Sequence, residues 1–129
     1  MDKITSTMRV RMSAKDAHYG GNLVAGGRML RLLGDVITEL SIKAKGDEGL
    51  SMKYYDIEFL APVYAGDYIE AYGEIVKFGN TPMVMELIAT KVIAARPDVG
   101  PSAADALSEP VPVCKSNAIV VVPKEFARK

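Results

Sequence analysis

"HYGGNLVAGGRMLRLLGDVITELSIKA", residues 18–44, decides how the rest of the chain must fold. Within it Met29, Leu30, Leu33, Ile37, Leu40 and Ile42 recur at intervals near 3.6 residues. That period predicts a helix with one apolar stripe, from about Gly26 to about Ala44. Arg28, Arg31, Asp35 and Glu39 fall on its other side, and the turn "KGDEG" ends it. Four glycines, Gly20, Gly21, Gly26 and Gly27, crowd around its start, together with the only histidine of the chain, His18.

Beyond this segment the period changes to two. In "KYYDIEFLA" the alternation places Tyr55, Ile57 and Phe59 on one face, and Tyr54, Asp56 and Glu58 on the other. In "DYIEAYGEIV" Ile69, Ala71 and Ile75 face one way, and Tyr68, Glu70, Tyr72 and Glu74 the other. "PMVMELIATKVIA" and "NAIVVVP" complete the set, and "ITSTMRVRMS" reads as a short first strand. "APVYAGD" and "FGNTP" separate these runs as turns, the second a hairpin signal. "RPDVGPSAADALSEPVP" holds four of the seven prolines and reads as a surface excursion between the last two strands. The order is strand, long helix, four strands. Connections of hairpin length then give an α+β fold: an antiparallel sheet of about five strands wrapped around one helix. The second face of that sheet is rich in Tyr, Met, Val and Ile, which predicts packing against another subunit.

Composition bounds the function classes. The 129 residues suit a single domain, 1–129, long enough to bury roughly two-thirds of its unfolded surface. Sixteen basic and sixteen acidic side chains cancel, so no net field favours nucleic acid or an anionic membrane. The start, "MDKITSTMRV", reads neither as a signal peptide nor as a membrane span. The expectation is a cytoplasmic protein. One cysteine, Cys114, and one histidine leave no internal disulfide and no plausible zinc site. No glycine-rich nucleotide signature is present, so no nicotinamide, flavin or nucleoside triphosphate is expected. Cys114 lies in a strand-like run and reads as a small buried hydrophobe.

Three segments carry a resemblance. "HYGGNLVAGG" resembles the histidine-bearing loop of hotdog dehydratases, and "GGRMLRLLGD" the Gly-Gly-helix-Asp segment of hotdog thioesterases. "EFLAPVYAGDYIEAYGEIVKFGNT" resembles the strand–turn–strand with "P-V-x-x-G-D" that recurs in that superfamily. From about residue 8 to the C-terminus, including "RPDVGPSAAD" and "VVPKEFARK", the chain resembles the 3-aminobutyryl-CoA ammonia-lyases of lysine fermentation and the related beta-alanyl-CoA ammonia-lyases. The resemblance implies the hotdog fold and the reversible elimination of ammonia from L-3-aminobutyryl-CoA to give crotonyl-CoA. It also implies a homodimer or larger dimer-based assembly, up to a hexamer, with coenzyme A entering as part of the substrate and no separate cofactor. Where the dehydratases carry an acidic residue one helical turn before Asp35, this chain has Leu32.

Under that resemblance the glycines gain a purpose. The unpaired N–H groups of a helix start favour an oxygen that gains negative charge. Gly26 and Gly27, without Cβ atoms, would let a thioester carbonyl approach; the alternative is that they only pack against the sheet. His18 reads as a general base or orienting group, since imidazole titrates near neutrality, or else as a structural residue. Asp35 reads as a catalytic or ammonium-contacting carboxylate, or as half of a solvated i,i+4 pair. Glu58, a third acidic candidate, reads as an interface or solvent residue, and Tyr19 as a packed aromatic or a pocket-lining one, while Lys45, Lys53, Arg96 and Lys115 are candidate partners for the coenzyme A phosphates. The same set also fits thioester hydrolysis, or a non-catalytic acyl-CoA-binding subunit.

Overall fold

A computed structural model describes residues 3–129. Strand β1 (Thr5–Arg11) leads through a loop with two short 3-10 turns into helix α1 (Gly26–Lys45). β2 (Leu50–Phe59), β3 (Tyr68–Phe78), β4 (Pro82–Ala95) and β5 (Ala104–Val121) follow. All pairings are antiparallel and the sheet order is β1-β3-β4-β5-β2. Helix α1 therefore connects the two edge strands by lying across one face of the sheet. This is the single helix and five-stranded sheet that the periodicities predict.

The helix stops where the chain supplies a residue free to adopt left-handed backbone. Gly46 has φ 72° and donates its N–H to the Ile42 carbonyl at 2.8 Å. The buried stripe is wider than the sequence pattern suggests. Met29, Leu32, Leu33, Val36, Ile37 and Leu40 are all enclosed, whereas Ile42 is exposed. They meet the alternating inner residues Ile69, Ala71 and Ile75 of β3, Met83, Met85, Leu87 and Ala89 of β4, and Cys114, Ala118 and Val120 of β5. Gly73 lets the helix settle onto the sheet. A Cβ there would stand 2.7 Å from both Val36 Cγ1 and Leu87 Cδ2.

Two expectations are corrected. First, the proline-rich segment leaves the sheet only over residues 96–103. From Ala104 the chain is already β5, with Ala104, Asp105 and Ala106 opposite Ala95, Ala94 and Ile93. This early part of β5 runs beyond Phe59, where β2 ends opposite Cys114, so only β4 flanks it. Proline lacks an N–H, and with no strand on that side Pro110 and Pro112 leave no ladder bond unmade.

Second, β2 does not alternate cleanly. Tyr55 pairs with Asn117 and Glu58 with Lys115, so three steps on β2 match two on β5. The extra residue is a bulge at Asp56, whose φ is 53°. It reverses the facing of everything after it. Tyr54 and Phe59, five residues apart and expected on opposite faces, both point to the helix side: Tyr54 Oη reaches the Leu30 carbonyl and the Phe59 ring lies on Gly26.

Candidate functional site

The loop that carries His18 is fastened at both ends. Asp16 accepts hydrogen bonds from the Ser13 backbone N–H at 2.8 Å, Ser13 Oγ at 3.1 Å and Arg28 Nε at 2.9 Å. Burial alone would raise the Asp16 pKa; the bonds from Ser13 and Arg28, with the guanidinium charge, outweigh it and hold the carboxyl below its ordinary value. Arg31 pairs with this same carboxylate at 3.8 Å rather than with Asp35. Further along, Val24 donates to Val63 at 2.8 Å and Ala65 to Asn22 at 3.0 Å, with Leu23 bridged to Tyr64. The turn between β2 and β3 thus guides the chain into the helix.

That helix begins without a side-chain cap. Ala25 occupies the N-cap position with extended backbone, and no acidic residue lies in the first turn. The two glycines there have different surroundings. A Cβ on Gly26 would sit 2.6 Å from Phe59 Cε1, whereas one on Gly27 would have no neighbour within 4 Å. Gly26 is a seat for an aromatic ring; Gly27 is the open position.

One side of α1 exposes Gly27, Arg31 and Asp35, with Leu30, Gly34 and Thr38 half-buried beside them. Two aromatic rings of β2 lie on this helix side, Tyr54 and, turned there by the bulge, Phe59. Tyr54 Oη donates to the Leu30 carbonyl at 2.9 Å and lies 3.3 Å from where a Gly34 Cβ would be. Burial, then the negative charge of Asp35, then Cys114, push the Tyr54 phenol pKa up. The phenol therefore stays protonated and acts as a donor at neutral pH. Burial likewise pushes the Cys114 thiol up, consistent with a packed hydrophobe. Simple alternation along β2 hides the facing of Phe59; the only local cue is an aspartate at a position that needs left-handed backbone.

His18 and Asp35 are both exposed, and among the described residues neither makes a side-chain hydrogen bond or ion pair. Asp35 is eight residues along the helix from Gly27, about 12 Å at 1.5 Å per residue. Within one protomer the acid and the glycine pair are therefore not adjacent. Glu58 is on the far face of the sheet, in a groove of about 630 Å³ that it shares with Tyr72, Glu74, Glu86 and Lys115. Tyr19 is exposed. Among the cations, Arg96 is held between Asp98 at 2.9 Å and Asp105 at 2.6 Å. Lys45 stands over the Phe78 ring and Lys53 over the Tyr55 ring. No group of three or more His, Cys, Asp or Glu side chains among the described residues could hold a metal ion.

Comparison with known proteins places this architecture. Residues 21–92 match the model of the Thioesterase superfamily. A 3-aminobutyryl-CoA ammonia lyase of Acetoanaerobium sticklandii is 54% identical over 96% of this chain and 98% of its own. Among solved structures, beta-alanyl-CoA:ammonia lyase from Clostridium propionicum superposes with a TM-score of 0.92 at 38% identity, covering 99% of this chain and 91% of that one. A hexameric hotdog fold thioesterase of Campylobacter jejuni shares the fold alone, with a TM-score of 0.75 at 16% identity over 95% of this chain and 86% of its own. Identity sustained across nearly the whole chain, on a helix-and-sheet frame common to the superfamily, shows that this chain is a member of the hotdog-fold thioesterase superfamily and, within it, of the CoA-thioester ammonia-lyase family.

Proposed function

We propose that the protein eliminates ammonia reversibly from L-3-aminobutyryl-CoA, giving crotonyl-CoA. The observation that carries this reading is the full-length identity to the Acetoanaerobium sticklandii lyase. In the elimination a base takes the α-proton, its electron pair forms the new double bond, and the β-carbon–nitrogen bond breaks. The β-ammonium departs as neutral ammonia, so the leaving group needs no acid. What the site must supply is a donor at the thioester oxygen, a base, and a carboxylate near the cation.

The uncapped first turn of α1 fits the first requirement. The Gly27 amide, in the uncapped first turn beside Gly26, would hold the oxygen as it becomes enolate-like, a contribution of roughly 3 kcal/mol where single donors have been removed from other enzymes. His18 and Asp35 would share proton transfer and ammonium contact. The separation of about 12 Å between Gly27 and Asp35 supports a site in which a second copy brings its own groups alongside.

A dimer, or a hexamer built from dimers, suits the surface too. Edge strand β2 and the residue after it expose Leu50, Met52, Ile57 and Leu60. Lys45, Lys53 and Lys115 remain as partners for the coenzyme A phosphates, while Arg96 is already neutralised by two carboxylates. Coenzyme A enters as part of the substrate, with no separate cofactor. The role that accompanies this reading is cytoplasmic, in lysine degradation; no helix among the described residues is long and apolar enough to cross a membrane.

Incubating the protein with crotonyl-CoA and ammonia tests the reading. Formation of 3-aminobutyryl-CoA, followed by mass spectrometry, is the expected result. Free coenzyme A without an amine adduct would instead identify a thioesterase, and binding without turnover a non-catalytic acyl-CoA-binding subunit.

A further inference from the structure

We propose that Phe59 is the wall of the acyl pocket and determines which acyl chains the site accepts, an inference that rests on the reading of Gly27 as the thioester-oxygen site. Three observations converge on it. The bulge at Asp56 inserts one residue into β2, and that insertion alone turns Phe59 from the outer face of the sheet to the helix side. Bulges beside functional sites commonly re-aim one side chain in this way. The ring then lies where a side chain at position 26 would be, 2.6–3.0 Å from the Cβ position. Only glycine there lets it reach the helix start. Finally, Phe59 is 58% exposed in the protomer, so beyond the part of its ring that rests on Gly26 it can meet another molecule.

Geometry fixes what that molecule presents. Gly26 and Gly27 are neighbours, about 3.8 Å apart at Cα. On this proposal, an acyl chain whose oxygen is held by the Gly27 amide runs past Gly26, the residue on which the Phe59 ring lies. The second to fourth carbons of that chain distinguish a three-carbon from a four-carbon or longer acyl group. The backbone beneath the ring is anchored, since Leu60 donates to the Val113 carbonyl at 2.9 Å directly after the strand ends. Phe59 is a wall held at a fixed place, and its size sets the depth of the pocket.

The test compares butyryl-CoA with hexanoyl-CoA binding, by calorimetry, in the wild type, Phe59→Ala and Phe59→Leu. Phe59→Ala should raise the preference for hexanoyl-CoA roughly tenfold or more, the discrimination that one or two methylenes can supply in an apolar pocket. Phe59→Leu should shift it less and in the same direction, and it keeps the test available should the alanine variant fold poorly. An unchanged ratio overturns the proposal, as does an equal loss for both chains, which would mark Phe59 as a structural or subunit-contact residue. Because the readout is binding, a failure to add ammonia to crotonyl-CoA would refute the lyase reading while leaving the pocket wall separately decided.

Discussion

Replacing Asp67 with asparagine should cost far more than its single-atom change suggests. Asp67 is 1% exposed, and its carboxylate receives three donors. Oδ1 accepts the Ala95 backbone N–H at 2.8 Å; Oδ2 accepts the Tyr64 backbone N–H at 2.8 Å and Lys91 Nζ at 3.1 Å. An asparagine offers one oxygen and one NH2. Whichever way the amide is turned, at least one buried donor faces another donor and loses its partner, at about 1–3 kcal/mol. The Lys91 ammonium also loses its counter-charge while remaining enclosed, its side chain only 12% exposed. Breaking one side of such a buried pair costs about 3–5 kcal/mol in all. Lys91→Met should cost less, because the carboxylate keeps both backbone donors. The double variant should then be more stable than the sum of the two losses implies, as expected of groups in contact. Urea unfolding at fixed protomer concentration measures this. With m near 1–3 kcal/mol/M, the Asp67→Asn midpoint should fall by roughly 2 M. An Asp67→Asn loss below about 1 kcal/mol, or a Lys91→Met loss exceeding it, would refute this account of the buried charge.

The other predictions concern the start of the helix. Gly27→Ala adds a methyl group where nothing lies within 4 Å. It should therefore leave the fold as stable or firmer by up to about 1 kcal/mol, while ammonia addition to crotonyl-CoA falls because the methyl occupies the approach of the carbonyl. Parallel urea and activity assays check it, and retained activity would remove Gly27 from the site. Asp16→Asn should destabilise by about 1–3 kcal/mol at pH 7, through loss of the charged bond to Arg28. The folded-state pKa of Asp16 is below its ordinary 3.8, so its ionised form adds stability above that value. The contribution is lost as the pH falls through the folded pKa. The gap between wild type and Asp16→Asn should therefore close as the pH falls from about 5 to well below 3.8, and a gap that widens on acidification would contradict the sign.

Helix α1 and the central strands were legible because each obeys one period throughout. Met29, Leu33, Ile37 and Leu40 repeat at helical spacing, Ile69, Ala71 and Ile75 at two, and the sheet follows from the short turns between strands. What escaped was every feature set by contact between distant segments. The bulge at Asp56 breaks the alternation of β2 with a single aspartate as its local cue, and the facing of Phe59 depends entirely on it. The early part of β5 escaped because its prolines suggest a loop, although an unpaired strand edge tolerates them.

The residues of the candidate site could be named from the sequence but not placed relative to one another, and the reason is geometric. Sequence spacing measures distance along one chain, whereas a β-elimination needs groups gathered within a few ångströms of a three- or four-carbon acyl unit. Gly26 and Gly27 are identical by spacing, yet a ring from β2 covers one and leaves the other open. Asp35 is on the same helix as both, yet the rise of that helix carries it about 12 Å away. Arg31, four residues before Asp35, spends its charge on Asp16 in the loop. A carboxylate left exposed and unpaired on an uncovered helix face gains neither packing nor pairing energy within its own protomer. The proposed function gives it one use: contact with the ammonium of a substrate held between two copies.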